Sequence, residues 1–321
     1  MVREHEWLIS QTDHQSLKPI SDPQLRRVLA SLDYQAYNTL TATFFGWLEG
    51  QAGVWQSVDG KELRGSIDGV GGQKRGEVVV RLVGHEDAQG TIIGFYHGAK
   101  ESERTVVETF IKNRTDLEQQ RMSLDALFLT PALLDTLQAK EVGYVVGLKN
   151  NQSELLAQAM FQQAHHEPVD SYTHVEKGHG RVERRHYEVY GLADIDLAQR
   201  WANSGLASLI CVDRHRWQAK TGRVSQEQAW FVSNLPHGYG QELIGAIRNH
   251  WRIEADHYVR DTTGGEDGIR CGCGMRLRAV ASVLNVGLNL LRGYDRKGNL
   301  RACWEDCNAD REVARTCWKK T

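Results

Sequence analysis

The chain has 321 residues, with 41 acidic against 39 basic side chains and a formal net charge of −2. That length suits one large domain with an insertion, or two domains, and 40% hydrophobic with 25% charged residues excludes a disordered or fibrous chain. No apolar run approaches the roughly 20 residues that span a membrane, and MVREHEWLISQTDHQSLKP lacks the apolar core of a signal peptide, so the cytoplasm is the expected compartment.

In chain order, Asp22-Pro23 reads as an N-cap followed by Pro at the first helical position, with Leu25, Val28, Leu29 and Leu32 at helical spacing. A second helix is expected over Ala36–Leu48, so that residues 1–50 form a small helical N-terminal region. From Gly53 the texture changes. Val54–Asp59, Glu77–Val83 and Thr91–His97 are strand candidates by β-branched content and turn-rich flanks. Ser102 opens a helix over Glu103–Asn113, Met122–Asp125 is a short strand, and Thr130-Pro131 starts the next helix. Tyr144–Leu148 is a further strand and Ser153–Gln162 a further helix. Three strands in a meander followed by α/β units give the element order of a ribonuclease H-like fold, a mixed α/β sheet with flanking helices. In a sheet ordered 3-2-1-4-5, Asp59 and Asp125 end neighbouring strands at one sheet edge, where open α/β sheets place their sites.

Residues 164–236 then carry four strand candidates, Ser171–Glu176, Val182–Tyr190, Leu206–Asp213 and Gln228–Ser233, and read as a β-rich insertion before the last helix of the site. Helices are expected over Gln241–Asp261 and Leu277–Arg292, and the tail from Asp295 is polar. The expected organisation is therefore 1–50, a first part of the core over 51–163, the insertion over 164–236, a second part over 237–294 and a tail over 295–321.

Three acids from separate segments carry the chemistry: Asp59 in VDGKELRGS, Asp125 in RMSLDALFLTP and Glu254 in NHWRIEADHYVRD. On a helical wheel Ile247, Trp251, Glu254 and Tyr258 share one stripe, which places the glutamate inside an apolar face, flanked by His250, His257 and Asp261. A carboxylate there must be neutral, paired with an internal arginine, or bound to a metal. Three converging carboxylates make a hard oxygen site for Mg²⁺, and two such ions drive phosphodiester chemistry. Nucleic-acid strand transfer is the leading expectation.

Cations with phosphate-binding potential are Lys61 and Arg64 beside Asp59, and Lys149 with the amides of Asn151 and Gln152 in LKNNQ. Arg181, Arg184 and Arg185 mark GHGRVERRHYEVY, a hairpin arm able to track a DNA backbone. A plain turn, a polar helix start and a charged surface strand account for the same three segments. Arg276, Arg278, Arg292, Arg296, Lys297 and Arg301 form a basic stretch against one acid, Asp295. Gly71-Gly72 is no nucleotide loop, and no organic cofactor is expected. Cys271-x-Cys273 and Cys303-x₃-Cys307 match no standard zinc ribbon and are read as reduced free thiols rather than a zinc site.

Taken together, VDGKELRGS, SLDALFLTP, YVVGLKNNQ, HGRVERRHYEV and IRNHWRIEADHYVRDTTGGED occur in the order found in the H-repeat-associated DDE transposases of bacterial insertion sequences, which the chain resembles from residue 55 to about 292. The resemblance implies Asp59, Asp125 and Glu254 as a metal-binding triad for Mg²⁺ or Mn²⁺. It places His250 one turn before the glutamate and Arg260 at a basic position after it. It further implies cleavage and transfer of double-stranded DNA at terminal repeats and target, by a homo-oligomer assembled on DNA and associated with the bacterial nucleoid. Where relatives continue HWxLDVxFxED this chain reads HYVRDTTGGED, which leaves Asp261, Glu266 and Asp267 as alternative acids. The rival readings are a structure-specific nuclease and a non-catalytic DNA-binding protein of transposase descent.

Overall fold

The computed structural model describes residues 20–47, 52–67, 75–98, 101–178, 180–192, 196–271, 274–294 and 298–319. Gly71-Gly72, Cys273, Asp295, Arg296 and Lys297 lie outside them.

Two helices come first, α1 (Asp22–Ser31) and α2 (Tyr34–Phe44). The α1 N-cap is Ser21 rather than Asp22: Ser21 forms a capping box with Gln24, which moves Asp22 and Pro23 into the first turn. Asp33 caps α2, accepting from the N–H groups of Gln35 and Ala36.

The strands then build one sheet. They are β1 (Trp55–Glu62), β2 (Glu77–Gly84), β3 (Gly90–His97), β4 (Arg121–Leu124), β5 (Gly143–Leu148), β6 (Asp170–Gly178), β7 (Arg181–Gly191), β8 (Ser208–Gln218) and β9 (Val224–Ser233). Their order is β3-β2-β1-β4-β5-β9-β8-β7-β6. β1 pairs antiparallel with β2 and parallel with β4, and β4 pairs parallel with β5. The first five strands thus take the expected 3-2-1-4-5 arrangement. The strands of the expected insertion continue the same sheet, because β9 pairs antiparallel with β5.

Strand alternation divides the core between two faces. On one, Val58, Met122, Leu124, Tyr144 and Val146 pack against α3 (Glu101–Asn113), α4 (Pro131–Ala139) and α5 (Ser153–His165) through Ile111, Leu133 and Leu155. Burying each such side chain contributes about 1.5–3 kcal/mol. On the other face, Trp55, Val145, Tyr187 and Ile210 meet Leu243, Ile244 and Ile247 of α6 (Gly240–Asn249). Leu63, Val79 and Ile92 on that side meet Leu277 and Ala281 of α8 (Gly274–Tyr294). Between α6 and α8 lies α7 (Arg252–Thr262).

Two expectations change here. The single helix over Gln241–Asp261 is broken at His250–Trp251 into α6 and α7. There the Ile253 N–H bonds to the His250 carbonyl in a tightened turn, and the Ser57 hydroxyl reaches the same carbonyl at 3.4 Å. The polar tail also folds, into α9 (Leu300–Ala309) and α10 (Arg311–Lys319). No helix among the described residues is long and apolar enough to cross a membrane.

Candidate active site

Asp59 and Asp125 come together through the β1–β4 register. Val58 pairs with Leu124, so the two aspartates follow directly on adjacent parallel strands, whose spacing is about 4.8 Å. Alternation gives both the α7 side of the sheet, because Val58 and Leu124 point into the opposite core. Asp125 caps a short 3₁₀ turn, Ala126–Phe128, by accepting from the Leu127 N–H at 2.7 Å. Next to Asp59, a Cβ at Gly60 would stand 2.8 Å from the buried Glu103 carboxyl, which would have to shift.

Helix α7 carries Glu254 three residues before His257. His257 Nδ1 is 3.9 Å from Asp59 Oδ2. Four residues before Glu254, His250 Nδ1 lies 3.0 Å from Ser123 Oγ, two residues upstream of Asp125. Glu254 and His257, three residues apart on α7, share one side of that helix, while His250 lies in the break before it. Glu254 makes no ion pair among the described residues, and desolvation raises its carboxyl above the usual range.

Beneath the aspartates is a polar node that the sequence did not signal. Ser57 Oγ is 2.8 Å from His85 Nε2 and 3.0 Å from Ser123 Oγ. Burial, then the neighbouring His250 and Arg252, pushes His85 down to about 4. Burial, with Arg81 nearby, likewise pushes His257 to about 4. Both rings are neutral at neutral pH, so the His257–Asp59 contact is no ion pair.

The wheel expectation for Glu254 is overturned in detail. Trp251 and Tyr258, expected in an apolar face with it, are 56% and 69% exposed, and Glu254 is exposed between them. The buried face of α7 is Ile253, Asp256 and Arg260. Charge can turn inward because partners wait there: Asp256 accepts from Arg260 at 2.7 Å and from Arg292, while Arg81 pairs with Glu266.

The same network corrects two expected phosphate contacts. Arg260 is fully buried on Asp256. Lys61 is 7% exposed and holds Asp261 at 2.6 Å and Asp267 at 2.8 Å, with Glu266 at 3.7 Å. Neither presents its charge to solvent, and the three alternative acids are thereby occupied. Asn151 and Gln152 also turn inward, donating to the Ala126 and Leu129 carbonyls at 2.7 and 2.8 Å. Both bonds hold the Asp125 turn, and Asn151 remains exposed at the surface. His250 is likewise a support for that turn.

Arg64, with a side chain 80% exposed, follows β1, and the exposed Lys149 follows β5. Arg181 and Arg184 are exposed on β7. Nearby, Arg185, Arg214 and Arg216 converge on Glu183. Against desolvation, these guanidiniums hold the Glu183 carboxyl below its usual range. The basic stretch of α8 is largely spent internally, Arg278 on Glu77 and Arg292 on Asp256.

As a metal site, the donor set is all carboxylate oxygen, which suits Mg²⁺ or Mn²⁺ and not a thiophilic ion. The three carboxylates do not converge to within 4.8 Å; among the described residues the clusters that tight are Glu188–Cys211–Asp213 and Cys303–Cys307–Cys317.

A ribonuclease H-like α/β sheet with two aspartates on its central strands and a glutamate on the helix across them defines a class. Within it, the chain is 23% identical over 243 residues to the "H repeat-associated putative transposase YhhI" of Escherichia coli strain K12, and 24% identical over 243 residues to "Putative protein YbfL" of the same organism. Each match covers 73% of this chain and 63% of the relative, so the chain spans less than two thirds of those proteins' length. It is also 28% identical over 219 residues to the "Uncharacterized protein in dhlA 3'region" of Xanthobacter autotrophicus, covering 65% of this chain and 70% of that one. No protein-family model matches the chain. The chain is related, at modest identity, to the H-repeat-associated transposases.

Proposed function

We propose that the protein is a divalent-metal-dependent DDE transposase that cuts DNA at the ends of its element and joins the freed ends to target DNA. One observation carries this reading. Asp59 and Asp125 follow paired residues on adjacent parallel strands, and α7, which carries Glu254, brings His257 to Asp59 just after the break that holds His250 on Ser123. Asp59, Asp125 and Glu254 are the residues that would hold Mg²⁺ or Mn²⁺. Such ions supply an activated water or 3′-hydroxyl and stabilise charge on the leaving oxygen.

The chain's own residues do the rest. Neutral His257 shields Asp59 without competing as a cation. His250, through Ser123, and Asn151, through Ala126, fix the Asp125 turn. Arg64, after β1, and Lys149, after β5, would meet the scissile DNA, and Arg181 and Arg184 extend the cationic surface along the insertion.

The test is Mg²⁺-dependent cleavage of DNA carrying the element's ends by wild type and Glu254→Ala. Cleavage that vanishes in the variant, with end joining by wild type, is the expected result. Cleavage without joining would make the protein a nuclease. Ends bound but uncut by folded wild type would make it a DNA-binding descendant.

A further inference from the structure

Cys303 and Cys307 are four residues apart on α9 and so share one face. Cys317 meets them from α10 across the helical hairpin. Every pair of their Sγ atoms lies within 4.8 Å, and Cys307 and Cys317 are 3.5 Å apart. Three sulfurs on one tetrahedral zinc, with bonds of about 2.3 Å, stand about 3.8 Å from each other. The spacing already present is that of a thiolate metal site, with no backbone rearrangement between the helices.

We propose that Cys303, Cys307 and Cys317 bind one zinc-class cation that clips α9 to α10. The sequence alone, with Cys271, Cys273, Cys303 and Cys307 weighed as a set, reads as reduced free thiols rather than a zinc site. The structure places Cys271 in another cluster, with Leu63 and Ile269, and brings in Cys317.

Two physical arguments favour a cation over packing or a disulfide. The first is size. The two short helices bury little of their own, with Cys303, Cys307, Cys317, Trp304 and Val313 packing on Leu288 and Leu291 of α8. Elements with so small a core usually need a staple. The second is number. A disulfide uses two sulfurs and gives the third nothing to do, whereas three thiolates leave one tetrahedral corner. A cavity of about 240 Å³ opens beside Cys307 and Cys317, lined also by Gly287, Leu291 and Trp304, and gives water access to that corner. The site shares no residue with Asp59, Asp125 or Glu254, and stands whether or not those acids are catalytic.

The experiment uses the full chain, reduced and metal-free, titrated with Co²⁺ as the spectroscopic probe. Expected are one Co²⁺ per chain, thiolate-to-cobalt charge transfer, tetrahedral d–d absorption and displacement by Zn²⁺. Cys307→Ser and Cys317→Ser each weaken binding by roughly tenfold or more, and Cys271→Ser leaves it unchanged. Cys307 is the half-exposed member, so its variant keeps the test sound if Cys317→Ser fails to fold. Three results would overturn the site: no thiolate band from folded, reduced wild type; a band that survives Cys307→Ser; or loss of the band in Cys271→Ser. A Cys307–Cys317 disulfide in protein that binds no Co²⁺ after reduction would do the same.

Discussion

The side-chain amide of Asn151 donates to the Ala126 carbonyl at 2.7 Å, tying the start of α5 to the turn that carries Asp125. An exposed residue expected to contact DNA is thus also tied to the turn behind a carboxylate. Asn151→Ala removes one hydrogen bond, worth about 1 kcal/mol, at a place where small displacements are costly. Metal-dependent cleavage is expected to fall roughly tenfold, with DNA affinity held within about twofold. Gel-shift and single-turnover assays separate the two. An affinity loss with an unchanged rate would return Asn151 to the DNA surface.

Lys61 and Arg64, three residues apart, should behave in opposite ways. Lys61→Met takes the 7%-exposed ammonium from Asp261 and removes one partner each from Asp267 and Glu266, which keep Arg64 and Arg81. Breaking a buried ion network by removing one partner costs about 3 kcal/mol or more, and the urea midpoint should drop accordingly. Arg64→Ala removes an exposed charge, so stability should move by less than about 0.5 kcal/mol. Its effect should appear in DNA binding, as a slope of log K against log salt shallower by about one. A destabilised Arg64→Ala with an unaltered slope would contradict this assignment.

Why the carboxylate pair was legible in sequence, and its surroundings were not, follows from range. Val78 to Val83 and Tyr144 to Leu148 announce strands by local composition, and the order of elements fixes which strands become neighbours. Asp59 and Asp125 then meet by register alone. Asp256, Arg260 and Lys61 owe their orientation to Arg81, Arg292, Glu266 and Asp267, which are distant in the chain. No wheel drawn on residues 241–261 contains those partners, so it exchanged the buried and exposed faces of α7. His85 was equally silent, since its partners Ser57 and Ser123 lie on other strands.

The Ser57–His85–Ser123 node also sets a pH dependence. His85 is 4% exposed and its pKa falls from 6.5 to about 4 on folding. Between those values the unfolded chain binds the proton and the folded one does not, so stability rises with pH across the window. The contribution is complete above pH 6.5 and lost as pH falls towards 4, on the order of 3 kcal/mol in all. Denaturant midpoints measured between those pH values should decline on acidification, and His85→Gln should flatten the decline. A profile as steep in the variant would place the titration elsewhere.

Asp256 offers the most direct test of how α7 is held. Its carboxylate takes Arg260 and Arg292 at once, and against desolvation these guanidiniums keep it well below the usual carboxylate range. Asp256→Ala would leave two buried guanidiniums without their shared partner, at a cost of about 3–5 kcal/mol. Because Glu254 lies two residues away on the same helix, the loss should also reach the site. At a temperature where the variant is still folded by circular dichroism, Mn²⁺ affinity and cleavage should both fall, while binding of DNA without metal persists. Normal Mn²⁺ affinity in a destabilised variant would show that Glu254 keeps its place without this network.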